Sequence, residues 1–118
     1  MYYRYIYIVI AELLIDEIRE LAFDEKIDIT VWKVRKDKYH PHGLKYSFNY
    51  RIWIGNEWIE IIRFDNAHGG SDHIHLFGEI KPIKFISIGS INEEMYKLIN
   101  KYRGEIDEIK THRNTGNE

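Results

Sequence analysis

The sequence predicts an α+β domain: a bent antiparallel β-sheet of about five to seven strands, meander-like, with a C-terminal helix packed on one face. Three observations predict it. Leu44, Tyr46, Phe48, Tyr50, Ile52 and Ile54 alternate with Lys45, Ser47, Asn49, Arg51 and Trp53, and Gly55-Asn56 then offers a two-residue hairpin turn into residues 57–64. Residues 26–34 form a second alternating, β-branched run. Ser90, with Glu93 three residues on, makes a capping box ahead of Ile91, Met95, Leu98, Ile99 and Tyr102, which are apolar at helical spacing.

Taken in order, Tyr3, Tyr5, Tyr7 and Val9 alternate with Arg4, Ile6, Ile8 and Ile10, as in a strand covered on both faces. Residues 11–23 carry two patterns. Leu14, Ile18, Leu21 and Ala22 have helical spacing, yet the run leads through Asp24-Glu25 straight into the next strand. A hairpin turning at 23–26 accounts for both runs and makes residues 13–21 a strand. Residues 36–43, KDKYHPHG, are a loop punctuated by proline and glycine.

Pairing Ile54 with Glu57 and counting away from the turn puts Phe48 opposite Arg63, Tyr46 opposite Asp65 and Lys45 opposite Asn66. Arg63 and Asp65 then continue the apolar face of Tyr46, Phe48, Tyr50, Ile52, Ile59 and Ile61, so polar residues stand where the pattern asks for apolar ones. Such breaks concentrate at functional sites. Residues 66–72 are a glycine-bearing loop. Residues 73–77 are a short strand with His73, His75 and Phe77 on one face, residues 84–88 are another strand, and the polar tail from Thr111 to residue 118 is expected to fray. The expectation is a single domain over residues 1–110.

Composition narrows the function classes. The 118 residues suffice for one core without staples, and the 44% hydrophobic content can offset the ordering entropy. Without cysteine there is no disulfide framework, thiolate metal site or cysteine nucleophile. A net charge of −2 gives no global grip on nucleic acid, so any such binding needs a local basic patch. The apolar start lacks a basic leader and a small-residue cleavage site, and it is shorter than the roughly 20 residues that span a bilayer. The expectation is a soluble cytoplasmic protein with no membrane partner. Abundant isoleucine, lysine, glutamate and tyrosine give it a thermophile-like composition.

Chemistry concentrates in residues 63–75, RFDNAHGGSDHIH. Histidine is the side chain that exchanges protons near neutral pH, and His73 and His75, two apart on a strand, point the same way. One option is acid–base cleavage of RNA, with Asp65, Asn66, His73, His75 and Lys45 as catalytic candidates and Arg63, Tyr46, His42 and His68 as substrate-binding candidates. Another is a divalent metal bound by His73, His75, Asp65 and Asp72, a metal-dependent phosphodiesterase; the H-x-H spacing alone is common. Singly, each residue also fits a structural role: Arg63 with Asp65 as an ion pair two residues apart, residues 66–70 as a turn. Their convergence beside one loop favours function. Trp32, Trp53 and Trp58 fall on strands, Trp53 and Trp58 reading as a packed or interface pair and not a ligand cage; the N-terminal tyrosines could stack on bases but read better as sheet packing or a dimer seam.

The order Ala11-Glu12-Leu13-Leu14-Ile15-Asp16, Ile29-Thr30-Val31-Trp32-Lys33-Val34 and His42-Gly43-Leu44-Lys45-Tyr46-Ser47 resembles the TumE family. The likeness continues through Arg63-Phe64-Asp65-Asn66, Gly70-Ser71-Asp72-His73-Ile74-His75 and Lys84-Phe85-Ile86-Ser87. Phe64 stands where the family usually has tyrosine, and Ala67 where it has an acid. The resemblance implies the toxin component of a prokaryotic toxin–antitoxin module, with a helix-turn-helix antitoxin as partner and RNA as a frequent target of such toxins. A non-catalytic module that binds an antitoxin or a second copy of itself is the alternative.

Overall fold

The computed structural model describes residues 11–67 and 71–116, with side chains through residue 112. The strand expected over residues 3–10 lies outside them. The described chain forms β1 (Glu12–Ala22), β2 (Glu25–Lys33), β3 (Leu44–Ile54), β4 (Glu57–Asp65), β5 (His73–Leu76) and β6 (Glu79–Pro82), then α1 (Ile88–Lys101) and α2 (Arg103–Gly116). The strands make one antiparallel sheet in chain order, a meander. The α+β class and the strand reading of the run before Phe23 both hold.

Local chemistry explains the turns. Gly55 (φ 59°) and Asn56 (φ 69°) both take the left-handed backbone that a tight two-residue hairpin requires. Phe77 (φ 49°) and Gly78 (φ 84°) build a second such turn between β5 and β6. That hairpin differs from expectation. The last strand is Glu79–Pro82 rather than residues 84–88, because Pro82 is tolerated at the sheet's outer edge, opposite His73. Residues 83–87 instead run extended to Ser87, whose Oγ accepts from the Ser90 N–H at 3.0 Å and caps α1. The helix therefore starts before Ser90. Its stripe is as expected, with Ile91, Met95 and Ile99 buried. A second helix follows a break at Tyr102 and buries Ile106, and it continues through Gly116 where a frayed tail was expected from Thr111.

One irregularity decides where the site forms. From Ile54↔Glu57 to Arg51↔Glu60 the β3–β4 register is the expected one. It then slips by one residue: Tyr50 pairs with Ile62, Asn49 with Arg63, Phe48 with Phe64 and Ser47 with Asp65. Ile61 is the extra residue of a β-bulge, and Ile61 and Ile62 are both buried. The expected pairs of Phe48 with Arg63, Tyr46 with Asp65 and Lys45 with Asn66 are therefore corrected. Because side chains alternate faces, a slip of one turns Arg63 and Asp65 away from the core and lets Ile62 and Phe64 fill it.

Both helices cover the face formed by Ile27, Ile29, Val31, Tyr46, Phe48, Tyr50 and Ile52, which with Ile91, Met95, Ile99 and Ile106 makes one core. A buried carboxylate fastens α2 to the sheet. Glu25 accepts from the Tyr50 hydroxyl, from Arg103 at 2.8 and 2.9 Å, and from Lys110 at 2.6 Å. Burial alone would raise the Glu25 carboxyl, but these donors outweigh it and bring it down to about 2. No helix among the described residues is long and apolar enough to cross a membrane.

Candidate functional site

The sheet face away from the helices carries the polar residues in two cross-strand rows. One runs Thr30–Ser47–Asp65–His73, the other Asp28–Asn49–Arg63–His75, each drawn from β2, β3, β4 and β5. Paired residues of an antiparallel sheet share a face, so these eight side chains stand together. The bulge puts Arg63 and Asp65 among them.

The centre is tightly knit. Arg63 Nε lies 2.6 Å from Asp65 Oδ2, while its Nη1 donates to Glu60 at 2.9 Å and its Nη2 approaches His75 Nε2 at 3.0 Å. A guanidinium only donates, so the imidazole nitrogen facing it is an acceptor there. Asp65 Oδ2 is 3.7 Å from the same nitrogen. Asp65 is only 4% exposed. Asn49, also buried, donates its amide N–H to Glu60 at 2.9 Å. Two buried atoms in this centre have no hydrogen bond: Asn49 Oδ1, and Arg63 Nε, whose N–H is not aligned on the nearby carboxylate. Asn49 Oδ1 is thus an acceptor left uncommitted, while Arg63 Nε stays in its ion pair with Asp65. The side chains of His73 and Lys45 make no hydrogen bond or ion pair among the described residues, and Lys45, paired with Trp32 on this face, is exposed.

The other candidates go elsewhere. Asn66 is almost fully buried, with its amide oxygen accepting from Tyr46 N–H at 3.0 Å and its amide nitrogen donating to Leu44 carbonyl at 2.8 Å. It clamps the β4 end onto β3. Tyr46, Asp72 and His42 gather on the helix side of the sheet. The Tyr46 hydroxyl donates to Asp72 at 2.6 Å, His42 Nε2 lies 3.8 Å from the same carboxylate, and the His42 ring stacks over Phe85 at 4.3 Å. Burial, then the carboxylate beside it, push the Tyr46 hydroxyl far above the ordinary phenol value, so it stays a proton donor to Asp72. Asp72 thus faces away from His73 and His75. The four candidate metal ligands are not gathered, and no group of three such side chains fit to hold an ion occurs among the described residues. His68 lies outside the described residues.

Sequence reasoning missed Ser47, Asn49 and Glu60 as members of the site, and Phe85 as the cover of His42. The signal for the first three was the doublet Ile61-Ile62. Two adjacent apolar residues in an otherwise alternating strand mark a bulge, and a bulge reassigns faces.

This geometry rests on the segments that carried the family resemblance. The family model for the toxin TumE matches residues 6–110. No curated protein and no solved structure matches the chain. The matched stretch takes in every strand of the sheet, both polar rows, α1 and the first part of α2, and the chain belongs to the TumE toxin family.

Proposed function

We propose that this TumE-family toxin acts in the cytoplasm on RNA, cleaving it on the helix-free face of the sheet with His73 and His75 as the proton-exchanging pair. The observation that carries the reading is the triad of Arg63, Asp65 and His75 beside an unengaged His73. His73 and His75 lie two residues apart on one face of β5, so their backbones are separated by about 7 Å, room for a phosphodiester between the rings.

The step balances without a metal. Once Arg63 Nη2 turns from His75 to the phosphoryl oxygens, the freed His75 nitrogen takes the proton of a ribose 2′-hydroxyl. The 2′-oxygen attacks phosphorus, the bond from phosphorus to the 5′-oxygen breaks, and His73 returns a proton to that oxygen. The products are a 2′,3′-cyclic phosphate and a 5′-hydroxyl end. Arg63 and Lys45 offset the charge that develops on the phosphoryl oxygens. Asp65 holds Arg63, which in turn faces His75, and Asn66 positions the end of β4 that bears Arg63 and Asp65. Purified protein should cut single-stranded RNA, and the double variant His73→Ala with His75→Ala should lose at least about 100-fold in rate. Equal cutting by that variant would refute the assignment.

A second reading draws on β1. Among the described residues β1 is a sheet edge, eleven residues long, with Leu14 (49%) and Ile18 (64%) exposed on it. An open edge strand can pair with another chain. The antitoxin, of helix-turn-helix type, or a second copy in a homodimer is the partner such an edge would take. Purified protein that binds its antitoxin tightly and cuts no RNA would favour this binding role alone.

A further inference from the structure

The three tryptophans of the chain share the helix-free face, flanking the polar rows on both sides. Trp32 pairs in register with Lys45 beside the Thr30–Ser47–Asp65–His73 row. Trp53 pairs with Trp58 beyond Arg51 and Glu60, on the other side of the Asn49–Arg63–His75 row. Four residues along a strand separate each group from Asp28 or Asn49, a span of about 13 Å. All three indoles are more than a third exposed, at 37, 39 and 36%. A large apolar surface kept in water on both sides of a polar centre is costly unless something covers it.

Each tryptophan group has a cation as its neighbour in the sheet. Lys26 Nζ sits 4.6 Å from the Trp58 ring centre, and the Trp53 and Trp58 rings meet edge-on at 5.4 Å. Lys45 stands across from Trp32. The carboxylates of β2 to β5 on this face are already engaged: Asp28 by Arg51 at 2.9 Å and Lys26 at 3.4 Å, Glu60 and Asp65 by Arg63. Beyond Trp32 the β2–β3 connection carries Lys36 and Lys38, both exposed, on either side of Asp37, with Tyr39 48% exposed beneath Lys38. Lys26, Lys45, Arg51 and Arg63 are the cations that β2 to β4 bring to this face.

Flat aromatic surface interleaved with cations is what a single strand of nucleic acid needs, because every base has a face to stack and every linkage a phosphate. A duplex hides its base faces and could not use it. We infer that the helix-free face is a stacking platform for single-stranded RNA, with Trp32 and Lys45 on one side of the His73–His75 centre and Trp53, Trp58 and Lys26 on the other. The inference rests on the cleavage reading for the identity of the strand as RNA; the stacking itself requires only bases.

The test is binding and cutting of an oligouridine of about 12 nucleotides, within the site sizes usual for such surfaces. The same-length single-stranded DNA and an RNA duplex are run alongside, and tryptophan fluorescence is followed. The platform predicts that both single strands bind and quench the fluorescence, that the duplex binds at least 10-fold more weakly, and that the DNA is not cut. Trp32→Ala and Trp53→Ala should each weaken strand binding by about 5- to 100-fold. They should raise KM on the oligomer while leaving kcat on a dinucleotide unchanged. Thermal melts confirm that these exposed positions tolerate alanine. Cutting that is indifferent to both tryptophan substitutions would overturn the platform and leave the catalytic reading standing. Tryptophan-dependent binding without cutting would do the reverse. Fluorescence that responds to the antitoxin and to no strand would overturn the platform in favour of a protein-docking face.

Discussion

Asp65 and Asn66 are chain neighbours with opposite tasks. Asp65 turns to the open face and holds Arg63, while Asn66 turns inward and engages both ends of its amide on the β3 backbone. Asn66→Ala should therefore lower stability by about 2–4 kcal/mol, since two buried backbone groups lose their partners. A urea midpoint shift with unchanged slope measures it; full stability with selective loss of cutting would instead make Asn66 a catalytic residue. At this scale the sequence was informative about some residues only. His73 and His75 declared a common face through their spacing of two. Arg63 and Asp65 stood out as polar residues in an apolar pattern. Asn49 and Glu60 did not, because an ordinary polar residue on an alternating strand gives no sign of which neighbours the register brings to it. Asp72 and His73 are adjacent in sequence and part to opposite sides of the sheet, so proximity in the motif did not mean proximity in space.

The bulge at Ile61 is the element on which the site depends. Without it, Arg63 and Asp65 would point into the core beside Tyr46 and Phe48, and Ile62 and Phe64 would face solvent. Deleting Ile61 would remove the extra residue yet keep Ile62 opposite Tyr50 and Arg63 opposite Asn49, whereas inserting one residue after it shifts Arg63 and Asp65 onto the core face. The expected outcome is that the insertion, and not the deletion, loses its cooperative thermal transition, read by circular dichroism. An insertion variant that melts cooperatively and still cuts RNA would show that the bulge does not set the site. The strands and the Gly55–Asn56 turn were legible because alternation and left-handed turn residues are local signals. The last strand and the second helix were less so. Pro82 disguised an edge strand, and Arg103-Gly104 and a strongly polar composition obscured the apolar positions Ile106 and Ile109.

For the molecule as a whole, helices and sheet are joined by apolar packing and by the ion network around Glu25, which ties β2 and β3 to α2. Its carboxyl is held at about 2, below the ordinary 4.5. A group with a depressed native value stabilises the fold above its unfolded value and loses that contribution as pH falls toward the native one. Stability should thus fall by up to about 3 kcal/mol between pH 5 and pH 2 from Glu25 alone, and Glu25→Gln should be less stable at pH 7 and flatter across that window. A variant with the wild-type acid profile would place the pH dependence elsewhere. The fold thereby uses one face of the sheet for packing and leaves the other open, and the proposed function requires that this second face use a ribose 2′-hydroxyl. The most direct test is a single-stranded DNA carrying one ribonucleotide, incubated with the wild-type protein and with the His73→Ala, His75→Ala variant. A single cut on the 3′ side of the ribose, leaving a 2′,3′-cyclic phosphate and absent with the variant, is the predicted result. Cutting at deoxyribose positions, or an undiminished cut by the variant, would contradict it.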